Sequence, residues 1–215
     1  LKRGLAYSTV SQLSYIVLGL ALATPVAVFG ALLHVVAHAF MKLTLFLAAG
    51  VVYVETGEKY VSDMAGVGRR LPLTMTAFAV AAAGLVGFPL VAGFVSKFHL
   101  VLGAAGSPAP LFVAVYLVAG LLKLLYFWPV VYVAFFGERG SDAPASRHAF
   151  APPHATDGGY VDAVAWSRRP LGREASPFVL LPVLFTVGGA VLLGLVPTAL
   201  PFWALAETVV AEVFA

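Results

Sequence analysis

The sequence contains no cysteine in its 215 residues, which excludes disulfide bonds and thiolate chemistry. Charged residues are also scarce: they make up 11% of the chain, whereas 61% is hydrophobic. Soluble domains are usually about 25% charged and about 45–50% apolar, and the mean hydropathy of this chain is +0.96. A soluble domain is thereby excluded, and the composition is that of an integral membrane protein.

Several common sequence patterns are missing as well. No secretory signal peptide precedes the first apolar segment, and the chain begins with Leu1 rather than Met. No nucleophile triad, P-loop or zinc-ligand pattern occurs. We therefore expect a fragment, or the later part of a longer protein, that performs no covalent chemistry of its own.

Five apolar segments are long enough to cross a bilayer, which takes about 20 residues of helix. The sequence predicts these spans at about 5–23 (span A), 28–54 (span B), 71–102 (span C), 111–136 (span D) and 178–200 (span E). The connection 137–176 is rich in Pro, Gly and charge and is expected outside the bilayer. We predict an all-α membrane protein with a single transmembrane domain, 1–215, in which one of about five helices is broken.

Basic residues divide unequally between the two sides of the membrane. The A–B turn, the C–D turn and the tail after span E contain none, which is a strong positive-inside signal. We therefore expect a cytoplasmic N-terminal end and an outside C-terminus. Ten of the thirteen Lys and Arg lie on the predicted cytoplasmic side: Lys2, Arg3, Lys59, Arg69, Arg70, Arg139, Arg147, Arg168, Arg169 and Arg173.

The remaining three lysines lie inside spans, and no Asp or Glu lies in the core of any span. In span B, His34, His38 and Lys42 recur every four residues and form one polar stripe on a helix. Each charge at the bilayer centre costs about 2.5–3.5 kcal/mol on insertion scales, so groups that can become neutral are favoured. The stripe predicts proton transfer. Two alternatives are hydrogen-bonded histidines with a snorkelling lysine, and a metal site, although Val35 breaks the HExxH pattern.

Span C carries a lysine directly after a helix-breaking stretch. Gly87, Pro89 and Gly93 weaken the helix in mid-span, and unwound backbone at this depth is tolerated where it is buried or lines a cavity. Lys97 follows about two turns later, with Ser96 and His99 beside it. The pattern predicts an ion or proton site; the alternative is a proline kink with a snorkelling lysine.

Weaker candidates lie in spans A, C and D. Lys123 either takes part in transfer or faces a neighbouring helix, and His99 lies nearer the membrane boundary. Span A has a polar stripe that either joins helices by hydrogen bonds or holds waters along a proton wire. The members of that stripe are Ser8, Ser11, Gln12 and Tyr15.

Four stretches carry a family resemblance: "LKRGLAYSTVSQLSYIVLGLAL", "GALLHVVAHAFMKLTLFLAAG", "RRLPLTMTAFAVAAAGLVGFPLVAGFVSKFHLVLG" and "YFWPVVYVAFFGE". They resemble the antiporter-like membrane subunits, which are the proton-translocating subunits of respiratory complex I and the large subunits of Mrp-type Na+/H+ antiporters. The resemblance covers residues 1 to about 137. It implies a fourteen-helix fold of two inverted five-helix repeats, of which this chain is the second repeat from its second helix, plus the final helix.

The resemblance also implies roles for individual residues. His34, His38 and Lys42 match the central hydrophilic axis, and Lys97 matches the terminal titratable residue on the second broken helix, where some relatives have Glu. It implies nothing for Lys123. "GRRLPLTMTAF" and "GFVSKFHLVLG" favour the D-type antiporter subunit, while complex I and membrane-bound hydrogenase subunits remain alternatives.

The expected function is proton translocation within a multisubunit complex in the cell membrane. A structural subunit that is inactive alone is the second class considered. A redox enzyme is poorly supported because the chain offers no haem, flavin or iron–sulfur ligand set, so no cofactor is expected. The expected partners are other membrane subunits, an N-terminal half or upstream segment, and anionic lipids at the cytoplasmic loops; nucleic acid is not expected.

Overall fold

A computed structural model describes residues 2–58, 60–137 and 174–215, apart from the side chains of residues 2 and 3. The described chain is α-helical, with three short 3-10 turns. Most of the long connection 137–176, including its five arginines, lies outside the described residues, as does Lys59. The α-helices are α1 (Lys2–Ala21), α2 (Pro25–Thr56), α3 (Pro72–Val86), α4 (Ala92–Ala105), α5 (Leu111–Phe136), α6 (Pro177–Leu195) and α7 (Phe202–Val213).

Helix α2 is the centre of the bundle and packs against α1, α3, α4, α6 and α7. Its ends follow from the sequence: the Thr24 hydroxyl accepts from the Ala27 amide at 3.3 Å, Pro25 opens the first turn, and Gly57 closes the helix with a φ of +75°. Its 32 residues span about 48 Å at 1.5 Å per residue, more than the roughly 30 Å of a hydrocarbon core.

Helix α4 lies closest to α2 because small residues line their contact. A Cβ on Gly103 would collide with the Ala27 backbone, and a Cβ on Gly30 would meet the backbone of α4 at Leu100. Membrane helices use such small residues to approach each other closely. The contact holds the polar stripe of α2 against the second half of the broken helix.

The predicted break of span C is confirmed: α3 and α4 are separate helices joined by residues 87–91. Gly87 ends α3 with a φ of +110°, and its amide bonds to the Ala83 carbonyl at 2.9 Å. Leu90 also has a positive φ, of +72°, and Pro89 lies in the connection. Together with α1, α2, α5 and α6, which are long and apolar enough to cross a membrane, the α3–α4 pair completes the five predicted spans.

Three features differ from expectation. The tail after span E forms α7, whose 12 residues are too few to span a bilayer. The predicted span E continued to 200, but α6 ends at Leu195. Glu174, expected in a basic loop facing lipid headgroups, is instead buried and caps α3: its carboxylate accepts from the amides of Leu73 at 2.9 Å and Thr74 at 2.7 Å. A carboxylate satisfies the free amides of a helix N-terminus.

Candidate functional site

His34 is a polar side chain of α2 that is completely buried in the bundle. Its Nε2 lies 2.8 Å from Gln12 Oε1 on α1, and its Nδ1 lies 2.8 Å from Ser96 Oγ on α4. The imidazole therefore joins three helices. Both ring nitrogens have partners, so each can hold a proton without leaving a buried donor unpaired.

The partners of His34 accommodate both of its protonation states. Gln12 Nε2 donates to the Leu85 carbonyl at 3.1 Å, so Gln12 Oε1 is left to accept from the Nε2–H of His34. In the neutral ring, Nδ1 accepts from the Ser96 hydroxyl. In the charged ring, Nδ1–H donates to Ser96 Oγ, whose own hydrogen can turn to the Ala92 or Gly93 carbonyl, each 3.3 Å away.

The Leu85 carbonyl connects this network to Lys97. It belongs to the last turn of α3, where the break at Gly87 removes the usual helical donors. Gln12 Nε2 and Lys97 Nζ both donate to it. Gly87 is suited to this place because a Cβ there would lie 3.3 Å from Lys97 Cδ. The helix break thus creates the acceptor for the lysine and leaves room for its side chain.

Lys42 binds the opposite part of α1. Its Nζ donates to the Leu5 carbonyl at 2.6 Å and to the Ser8 hydroxyl. His38 lies between Lys42 and His34 on α2: its ring stacks on that of His34 at a centroid distance of 6.3 Å, and its Nε2 is buried without a hydrogen-bond partner among the described residues. The predicted stripe is therefore directed inward, toward α1 and α4.

Tyr15 lies among three titratable side chains. Its ring stacks on His34 at 5.8 Å and faces Lys97 Nζ at 5.4 Å and Lys123 Nζ at 3.7 Å from the ring centroid. Its hydroxyl donates to the Tyr116 carbonyl at 3.1 Å, and the Tyr116 hydroxyl donates back to the Tyr15 carbonyl at 3.3 Å. This reciprocal pair joins α1 to α5 and fixes the ring that both amines contact.

Two cavities adjoin these lysines. One of about 400 Å³ lies beside the helix break and is lined by Lys97, Gly87, Tyr15 and Tyr116 together with apolar residues of α4 and α5. The other, of about 220 Å³, lies between α1 and α5 and is lined by Lys123, Ser8 and Ser11 among others. A water occupies about 30 Å³, so each cavity has room for several. Most of the lining of both is apolar, so the polar partners for waters are the lysine, serine and tyrosine side chains.

One predicted candidate lies apart from this network. The contacts of His99 are to the Val95 carbonyl, at 2.8 Å, and to the rings of Phe29, Phe98 and Trp203. It therefore belongs to an aromatic cluster that packs against α7 through Trp203. The structure brings the other titratable and polar candidates together. The network also contains three groups to which the sequence assigns no role: Ser96, the Leu85 carbonyl and Tyr116. Of these, Ser96 could have been recognised from its position directly before Lys97.

The fold and the site together define a class of protein, an all-helical membrane subunit with one broken helix. At the break, a backbone carbonyl binds a buried lysine, and a stripe of lysine and histidine lies on the neighbouring helix. A family model described as "NADH:quinone oxidoreductase/Mrp antiporter, TM" matches residues 1–123. The chain belongs to this family of antiporter-like membrane subunits, as the sequence predicted.

Individual relatives come from both kinds of complex. The chain is 42% identical over 194 residues to the N-type subunit of NADH-quinone oxidoreductase from Desulforudis audaxviator, and this match covers 90% of the chain and 36% of the relative. It is 36% identical over 138 residues to the D-type Na(+)/H(+) antiporter subunit from Alkalihalophilus pseudofirmus, covering 64% of the chain and 28% of that relative. The structure of the Mrp complex from Dietzia sp. DQ12-45-1b matches with a TM-score of 0.76 and 28% identity, over 97% of this chain and 42% of that one. The chain thus spans less than half the length of these relatives.

Proposed function

We propose that the chain conducts protons across the cell membrane, as part of a longer subunit or a split subunit within a multisubunit complex. One observation carries the proposal: His34 is held between Gln12 and Ser96 so that Nε2 keeps its proton toward Gln12 while Nδ1 can take up and release a second proton beside Ser96. The stripe His34, His38 and Lys42 supplies titratable groups on one side, and Lys97 on the break supplies one on the other. Family membership supports the same activity.

The proposed transfer begins at Lys42 and ends at Lys97. Lys42 and His34 are eight residues apart on α2, about 12 Å along the axis. At an effective dielectric constant of about 20, a charge on Lys42 disfavours a second charge at that distance by about 1.4 kcal/mol, which is roughly a tenfold bias. The proton passes from Lys42 through His38 and His34 to Ser96, with waters bridging the gaps between the side chains. When a further proton charges Lys42, this repulsion favours movement of the first proton onward toward Lys97.

Lys97 is the proposed release site. The cavity of about 400 Å³ beside it offers waters a route to the outside, which the distribution of basic residues assigns to the side opposite the N-terminal end. The Leu85 carbonyl holds the ammonium until it loses its proton. The same charge distribution makes anionic lipids the proposed partners of the cytoplasmic loops.

Two host complexes are candidates. A gradient-driven cation/proton antiporter is the first, with the chain as its D-like subunit. A redox-driven NADH:quinone oxidoreductase is the second, and the 42% identity over 90% of the chain to an N-type subunit favours it. Purification of the native complex in mild detergent separates them. Flavin and iron–sulfur absorbance that NADH bleaches indicates the second host, whereas small membrane subunits alone indicate the first.

Replacement of Lys42 tests transport against a purely structural role. In the reconstituted host complex, we expect Lys42→Ala to abolish proton flux while the complex assembles in normal amount, because the Ser8 and Leu5 partners of Lys42 remain bonded to each other at 2.9 Å. Loss of assembly instead of flux would support a structural subunit. Gly50→Ala is the control, because an added Cβ at Gly50 meets no atom within 4 Å.

A further inference from the structure

Lys123 is a buried amine that the proposed pathway does not use. It lies on the inward stripe of α5 with Tyr116, Phe127, Val130 and Ala134, and only 6% of its surface is exposed. Its Nζ has no hydrogen-bond partner among the described residues. The α5 helix thus directs its only charge into the bundle rather than toward lipid, although an unpaired buried charge is costly.

Two contacts tie Lys123 to the residues of the pathway. Its Nζ lies 3.7 Å from the centre of the Tyr15 ring, and Lys97 Nζ lies 5.4 Å from the same centre. The cavity of about 220 Å³ at Lys123 also contains Ser8 and Ser11, and Ser8 accepts a hydrogen bond from Lys42. Waters in this cavity would connect the Lys42 end of the bundle to Lys123 through hydroxyl groups.

We infer that Lys123 is a proton-loading residue that receives protons from the Lys42 end and, when charged, displaces the proton from Lys97. This inference rests on the proposed function. The proton leaves Lys42 Nζ, passes along the Ser8 hydroxyl and cavity waters, and binds Lys123 Nζ, so that the transfer involves no other change in bonding. The ring of Tyr15 then stabilises the ammonium by a cation–π contact.

The geometry sets the strength of the coupling between the two amines. Because both lie over one ring, their nitrogens are no more than 9.1 Å apart, the limit set by the two centroid distances. At an effective dielectric constant of about 20, repulsion at that distance disfavours the doubly charged state about twentyfold. A proton that arrives at Lys123 therefore favours release from Lys97 by at least about that factor.

The test compares two replacements of Lys123 in the host complex, with the full-length subunit, reconstituted in liposomes. Lys123→Met removes the titratable group at similar size, and Lys123→Arg keeps a cation that stays charged at all working pH values. Both variants are expected to lower proton flux at least tenfold, although the complex assembles in the same amount as the wild type. Leu125→Met, an exposed change on the same helix, is the matched control and is expected to leave the flux unchanged.

The outcomes separate this inference from the proposed function. A fall of less than tenfold in either variant would overturn it, and wild-type flux in Lys123→Arg would show that a fixed cation is sufficient. If Lys123→Met fails to assemble, Lys123→Arg decides alone, since it keeps the cation over Tyr15. If Lys97→Ala loses flux while the Lys123 variants keep it, only the role of Lys123 fails. If Lys97→Ala also keeps wild-type flux, the proposed function fails.

Discussion

Replacement of Ser96 by alanine should slow proton transfer through His34 about tenfold. The Ser96 hydroxyl lies 2.8 Å from His34 Nδ1 and is buried. It donates to the neutral ring and accepts from the charged ring, turning its own hydrogen to the Ala92 or Gly93 carbonyl in the second case. Alanine offers neither bond, and the loss is greater for the charged ring.

The magnitude follows from the different strengths of these two bonds. A hydrogen bond to a charged group contributes about 1.5–3 kcal/mol, against about 0.5–1.5 kcal/mol for a neutral pair. Without the Ser96 hydroxyl, each protonation state of His34 loses its own bond, and the charged ring loses the stronger one. The free energy of charged His34 therefore rises by about 1–1.5 kcal/mol relative to the neutral ring. Since about 1.4 kcal/mol is a factor of ten, the charged ring becomes about tenfold rarer, and a flux carried by it falls equally.

The assay is proton flux into liposomes that contain equal amounts of assembled wild-type or variant complex. Ser96→Thr keeps the hydroxyl and is expected to retain most of the flux. Ser14→Ala is the matched control, because Ser14 is exposed on α1 and its hydroxyl donates to the Val10 carbonyl of the same helix, at 3.0 Å. A Ser96→Ala flux within twofold of wild type would refute the assignment of Ser96 to both protonation states of His34.

Two predictions concern the stability of the fold. Gly87→Ala should cost about 1–2 kcal/mol of unfolding free energy because of the positive φ, whereas Gly50→Ala should cost nothing; equal melting temperatures of the purified variants would contradict this. Thr44 and Thr186 share a hydrogen bond of 2.9 Å between α2 and α6, and a double-mutant cycle with valine should give a coupling of about 0.6 kcal/mol with unchanged proton flux; a large loss of flux would place this pair in the pathway.

The sequence predicted those parts of the site that depend on local periodicity. His34, His38 and Lys42 fall on one face because their spacing matches the helical repeat. The break followed from Gly87 and Pro89, since these residues weaken a helix wherever it packs.

The partners of these residues could not be predicted in the same way. Gln12 reaches a carbonyl 73 positions away, and His34 meets Ser96 62 positions away, so both contacts depend on how three helices pack. The sequence predicts that the span A stripe joins helices or holds water; Gln12 and Ser8 do join α1 to α2, but their particular partners, His34 and Lys42, depend on the packing. Helix α7 was missed because its 12 residues give no membrane-length signal.

In the proposed function, protons cross the membrane through the buried lysines and histidines of this chain. The most direct test is the proton flux of the reconstituted host complex carrying Lys97→Ala, normalised to assembled complex. Lys97 is the amine at the helix break, and its loss removes the proposed release site while leaving Gln12 on the Leu85 carbonyl. We expect the Lys97→Ala complex to show flux at the level of protein-free liposomes. Flux at the wild-type rate would contradict it.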